Sequence, residues 1–223
     1  NSSSHLYQVI REARGLNYGD YSYIEAFPNG GSRQQPPTGV GRRAQMFEVW
    51  VRPVPEERAV FSVRAALREV ETLHRDGMSR ADFEFTQAFL AKYALHFAED
   101  TEARLGYAVD DRYHDLDESH LVRFRRTIAE LTLEEVNAAV KKHLDPANIH
   151  FAFVTANGAA LKEALASGEP SPIDYGGIEK PAEILAADEE IEVYPLGIPA
   201  PNIQVVPVTS VFEDAELLPA GRP

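Results

Sequence analysis

Two alternating segments come early in the chain, a succession of helical periodicities follows, and a single apolar run lies near residue 150. This order constrains the fold more than any other feature, because strands and helices each arrive in blocks rather than in alternation. From Asn17 to Pro28, Tyr21, Tyr23 and Glu25 fall on one face and Ser22, Ile24 and Ala26 on the other. Ala44 to Arg52 repeats the pattern, with Met46, Glu48 and Trp50 against Phe47, Val49 and Val51, and Pro53 and Pro55 end it. Ser4 to Arg14 reads as a helix through Leu6, Val9, Ile10 and Ala13, with Gly15 as its stop. Glu56 to Arg75 reads as an amphipathic helix through Val60, Val63, Leu67, Val70 and Leu73. Ser79 with Asp82 resembles a capping box for a helix to about Glu99 that resumes to Tyr113. Another helix is expected over 118–130, and Thr132 with Glu135 forms a capping box for a helix ending near Leu144. Ile149 to Thr155 is predicted as a buried strand, and Ala159 to Ala166 as a short helix stopped at Gly168. The expected class is α+β, a mostly antiparallel sheet with helices packed on one face.

From Glu169 onward the periodicity fades. Residues 181–223 hold seven of the fifteen prolines, eight acids and one base, so they supply −7 of the net charge of −13. The expected division is residues 1–180 as one domain with a truncated N-terminal edge and 181–223 as an acidic, Pro-rich tail or linker. The acidic balance argues against nucleic-acid binding, which depends on Lys and Arg neutralising phosphates. No apolar run reaches the ~18 residues of a membrane span. Without cysteine, the chain can form no disulfide or thiolate nucleophile. It begins at Asn1 rather than Met, and the gene product is expected to extend upstream.

The most informative stretch is Leu6-Tyr7-Gln8-Val9-Ile10-Arg11-Glu12-Ala13-Arg14-Gly15-Leu16-Asn17-Tyr18-Gly19. It reads as a helix C-terminus, a glycine turn and the start of a strand. Such a corner can bring the Arg11 guanidinium and the Tyr18 phenol to one place, where together they could grip a peptide carbonyl. By spacing alone, Arg11 would more often pair with a neighbouring acid and Tyr18 would more often pack its ring.

This run resembles the C-terminal, non-zinc-binding domain of the pitrilysin/insulinase family of metallopeptidases, which includes the mitochondrial processing peptidases. Phe47 to Val51, Glu130 to Val136 and the stretch from Lys141 through Asn148 to Thr155 extend the resemblance over about residues 4–157. The resemblance implies that Arg11 and Tyr18 are the family's Arg/Tyr pair, reaching toward substrate held at the zinc of a partner domain.

A zinc-bearing member of that family needs H-x-x-E-H on a helix, two His for the metal and a Glu as general base. None of the seven histidines begins that motif. His96-Phe97-Ala98-Glu99-Asp100 comes nearest, with Asp in place of the second His. It reads as ordinary helix surface. The run from His114 to His120 reads as a solvated helix boundary with Asp117 as N-cap. Gly39-Val40-Gly41-Arg42-Arg43 lacks the Lys-Ser/Thr ending of a phosphate loop, and no Ser lies in a G-x-S-x-G elbow.

The resemblance therefore implies the non-catalytic half of a zinc metalloendopeptidase. The chain would hold no cofactor, and zinc would sit in an H-x-x-E-H partner domain or subunit. Peptide substrate would be oriented by Arg11 and Tyr18. The competing expectation is a structural or assembly subunit of the same fold with no peptidase role; a self-contained metalloenzyme using His96 or the 114–120 cluster is a third. Exported bacterial relatives suggest a periplasmic or otherwise exported location.

Overall fold

The computed structural model describes residues 4–24, 38–39 and 46–212. The loop 29–37, the glycine-arginine run beyond Gly39 and the tail beyond residue 212 lie outside the described residues. A helix opens the chain and widens into a π-helical turn at Tyr7–Glu12. Strands β1 (Gly19–Ile24) and β2 (Phe47–Arg52) follow and form a two-stranded antiparallel sheet. The helices come next: α1 (Ala59–Asp76), α2 (Arg80–Tyr93), α3 (Thr101–Tyr113), α4 (His120–Glu130), α5 (Leu133–His143), α6 (Gly158–Ser167), α7 (Ala182–Ile191) and α8 (Val208–Phe212).

The described residues form two compact units. One is built from the described residues within 1–20, 51–69 and 149–212, the other from those within 21–50 and 70–148. The core of the first unit is Ile10, Leu16, Phe61, Ala65 and Ile191, with Leu6, Val9, Val51, Ala66 and Ile173 packed around it. Helix α1 turns Phe61, Ala65 and Leu67 to full burial, whereas Val60 and Val63 of the expected stripe are only half-buried. Arg64 on the same helix is also buried. Its guanidinium donates to the carbonyls of Glu169 (2.9 Å) and Glu192 and to the Ser171 hydroxyl (2.9 Å). Burial of that charge pulls the Arg64 pKa down. An apolar-stripe rule misses such a face because it has no place for a buried cation held by backbone and hydroxyl oxygens.

In the second unit, α2, α3 and α4 pack around the 3₁₀ turn at Ala94–Ala98. The rings of Phe89, Tyr93, Phe97 and Phe124 form a contiguous series with centroids 5.2 to 5.7 Å apart. Gln87 donates from one amide nitrogen to the carbonyls of Ile128 (2.7 Å) and Leu131 (3.0 Å), so α2 satisfies the end of α4. Asn137 of α5 accepts from the Met78 amide (2.7 Å) and donates to the Met78 carbonyl (3.3 Å), closing the turn after α1. The capping box at Thr132 and Glu135 is present as expected. At Ser79, the hydroxyl accepts from the Asp82 amide and donates to the Asp82 carboxylate.

The α+β class is consistent with this architecture, but a mostly antiparallel sheet is not. The molecule is mostly helical and its sheet has two strands among the described residues. The main discrepancy is the segment Ile149 to Thr155, expected as a buried strand. It forms no regular strand, and Phe151, Phe153 and Val154 are exposed. An apolar run becomes a strand only where a neighbour completes its hydrogen bonds, and the run alone does not specify that neighbour. Helix α4 begins at His120, not 118. Its first amide donates to Asp111 (3.0 Å), so Asp117 is not its cap.

The segment read from sequence as an extended tail contains helix α7, and its Ile191 is one of the most buried side chains. What holds this helix is an ion pair out of water. Arg14 Nε donates to Asp188 Oδ1 at 2.6 Å, with 3% and 9% of the two side chains exposed. Asp188 Oδ2 accepts from the Tyr175 hydroxyl at 2.7 Å, and burial together with that carboxylate drives the Tyr175 pKa upward. Arg14 also donates to the Val9 carbonyl (2.7 Å), and Lys180 to the Ala13 carbonyl (2.7 Å). Removing one member strands a buried charge. Asp188→Ala is therefore expected to cost roughly 3–5 kcal/mol of unfolding free energy in urea titrations, with Arg14→Met plus Asp188→Leu recovering most of it. A loss below about 1 kcal/mol would mean that residues 181–223 do behave as a loose tail.

Candidate functional site

The candidate site is built by three consecutive local structures: the π-helical turn, the glycine corner and the mouth of β1. In the wide turn the Ala13 amide donates to the Gln8 carbonyl (2.9 Å), an i→i+5 bond. Gly15 then takes the left-handed conformation (φ 61°) that a residue with a Cβ rarely adopts. Its amide donates to Arg11 O (2.7 Å) and the next, that of Leu16, to Ile10 O (3.1 Å). These bonds close the helix end, as a left-handed glycine cap does. Leu16 is buried in the core, which fixes where the chain leaves the corner.

Arg11 and Tyr18 are brought together by that corner. Arg11 Nη1 donates to the Tyr18 carbonyl (3.2 Å), and the guanidinium carbon lies over the Tyr18 ring, 4.1 Å from its centroid. Tyr18 is 73% exposed, and 28% of the Arg11 side chain is exposed. The pair thus presents a guanidinium and a phenol side by side at the surface. A fork of N–H donors beside a hydroxyl suits a peptide carbonyl or another polar acceptor.

Residues not singled out from sequence complete the surroundings. The Tyr7 ring also faces the Arg11 guanidinium, with the guanidinium carbon 4.8 Å from its centroid. The Glu12 carboxylate lies 3.8 Å from Arg11 Nε and accepts a hydrogen bond from the Tyr7 hydroxyl, which raises the Tyr7 pKa. Below the pair, Asp20 is buried at the start of β1. Asn17 Nδ2 donates to its Oδ1 at 2.6 Å, while Asn17 Oδ1 and Asp20 Oδ2 are buried without a partner among the described residues. Tyr7 was legible as the i−4 neighbour of Arg11 on a helix. Nothing in the sequence marks Asp20, since its burial depends on how β1 enters the unit.

The other sequence candidates do not converge on this place. His96 and Glu99 are exposed and pair with each other. His120 stacks on Tyr107, with centroids 6.0 Å apart, and Glu118 pairs with Arg126. Among the described residues no three His, Asp or Glu side chains are grouped so as to hold a metal ion.

Burial pushes the Asp20 pKa up, partly opposed by the Asn17 amide and the Arg11 charge. An acid with a raised folded-state pKa binds its proton more tightly when folded. Its contribution is fully favourable below the ordinary carboxylate range and is lost as pH rises through the raised value. Asp20→Asn is therefore expected to melt higher than wild type at neutral pH, with the gap closing as pH falls toward about 4. A variant that melts lower at neutral pH would show that the buried carboxylate is held charged by Arg11.

No protein-family model matches the chain. It is similar to a protein of Mycobacterium bovis named an uncharacterized zinc protease and to proteins of the same description from two Mycobacterium tuberculosis strains. Each is 28% identical over 142 residues, 64% of this chain. The chain spans only 29% of the length of these relatives. No helix among the described residues is long and apolar enough to cross a membrane. The chain is thus a distant relative of proteins named as zinc proteases.

Proposed function

We propose that this chain is the non-catalytic half of a zinc metalloendopeptidase, which pairs with an H-x-x-E-H domain or subunit and orients peptide substrate through Arg11 and Tyr18. The observation that carries the reading is the convergence of those two side chains at the glycine corner, exposed and in contact. The similarity to zinc proteases over less than a third of their length supports it, since a partial match leaves room for a zinc-bearing portion elsewhere. Zinc, the attacking water and the general base would belong to the partner. Arg11 and Tyr18 would hold the substrate backbone and place donors where negative charge develops on the carbonyl.

One observation favours a second reading, an assembly subunit of the same fold. The Arg11 Nη1 donor is already taken by the Tyr18 carbonyl, as a packing feature would be. One assay separates the two. Cleavage of a quenched fluorescent peptide by the zinc-motif half, with this chain added, is expected to fall roughly 10²-fold with Arg11→Ala or Tyr18→Phe, the scale for losing one transition-state donor. Variants that support cleavage as well as wild type would leave the chain as a structural element.

A further inference from the structure

The Arg11 side chain is long and partly exposed, and the carboxylate beside its Nε, Glu12, is itself half-exposed. A peptide-gripping guanidinium must nevertheless be held in one orientation before substrate arrives, or part of the binding energy is lost to ordering it. Tyr18 cannot supply all of that restraint, because its hydroxyl is the second substrate-facing group. The restraint must come from elsewhere on the corner.

We propose that Tyr7 and Glu12 are positioning residues for Arg11: the Tyr7 ring backs the guanidinium, and the Glu12 carboxylate lies beside its Nε. This rests on the reading of Arg11 as a substrate-gripping group. The distances are 4.8 Å from the guanidinium carbon to the Tyr7 ring centroid and 3.8 Å from Arg11 Nε to Glu12. The π-helical turn makes this grouping possible. Residues 7 and 11 share a face in any helix, but residues 7 and 12 do so only when the turn is wide. In an α-helix five residues advance the chain about 1.4 turns and would swing Glu12 away.

One Nη1 N–H is used by the Tyr18 carbonyl and Nε faces Glu12, so the second Nη1 N–H and those of Nη2 remain for a peptide oxygen. Tyr7 and Glu12 touch no substrate in this scheme.

The test is a double-mutant cycle in the assay with the zinc-motif half and this whole chain, reading kcat and KM separately. Tyr7→Leu is expected to lower kcat about 10-fold with little change in KM, because an unaimed donor is lost mainly in the transition state. Tyr7→Phe keeps the ring and is expected to retain activity within about 3-fold. Combined with Arg11→Ala, Tyr7→Leu should add no further loss, since the two act as one unit. Equal melting temperatures for the single variants and wild type keep misfolding out of the comparison. Full additivity, or no loss from Tyr7→Leu while Arg11→Ala is impaired, overturns the positioning role and leaves the substrate-gripping role of Arg11 standing. If Arg11→Ala itself is harmless, the functional reading falls and this assignment with it.

Discussion

The buried pair between Arg14 and Asp188 is the interaction on which the first unit depends. It joins residues 174 positions apart and, with Tyr175 on the other carboxylate oxygen, fastens α7 to the helix that presents Arg11. A buried ion pair contributes little net stability by itself, because desolvation offsets most of the attraction. Its consequence is specificity of packing. Once both charges are out of water, neither can be left without the other, so Ile191 is held in the core beside Ile10 and Leu16.

That anchoring explains how an exposed corner can be well defined. Arg11 lies in the last turn of the helix and Arg14 in the turn just beyond it, yet one is partly exposed and the other is buried. The buried arginine fixes the helix. The exposed one is free to face outward, restrained by rings and by a carbonyl rather than by burial. Gly15 then turns the chain back within four residues of Arg11, so that Tyr18 returns to the same spot. The geometry of the pair follows from short-range structure, and its orientation follows from a contact to the far end of the chain.

Local signals were legible wherever they were satisfied locally. The Thr132–Glu135 box, the glycine stop at Gly15 and the Arg11–Tyr18 proximity each depend on residues within seven positions of one another. Signals that need a distant partner were not legible. The run from Ile149 to Thr155 has the composition of a buried strand, but its side chains are exposed among the described residues. Residues 182–191 have little helical stripe and many acids, yet they form a helix, because Asp188 finds Arg14 and Ile191 finds the core. Asp20 gives no sign of burial in the sequence, and its raised pKa follows entirely from its surroundings.

By itself the sequence determined the mixture of strands and helices, the absence of an H-x-x-E-H motif in it, and the corner that unites Arg11 with Tyr18. These are decided by composition and by backbone rules acting over a few residues. Only the tertiary structure decided which helix face is buried, how small the sheet is among the described residues, and where residues 182–191 go. The physical reason is the range of the forces involved. Capping and turn formation are settled between near neighbours, whereas burying an arginine, a carboxylate or an apolar run depends on a partner that the local sequence does not name.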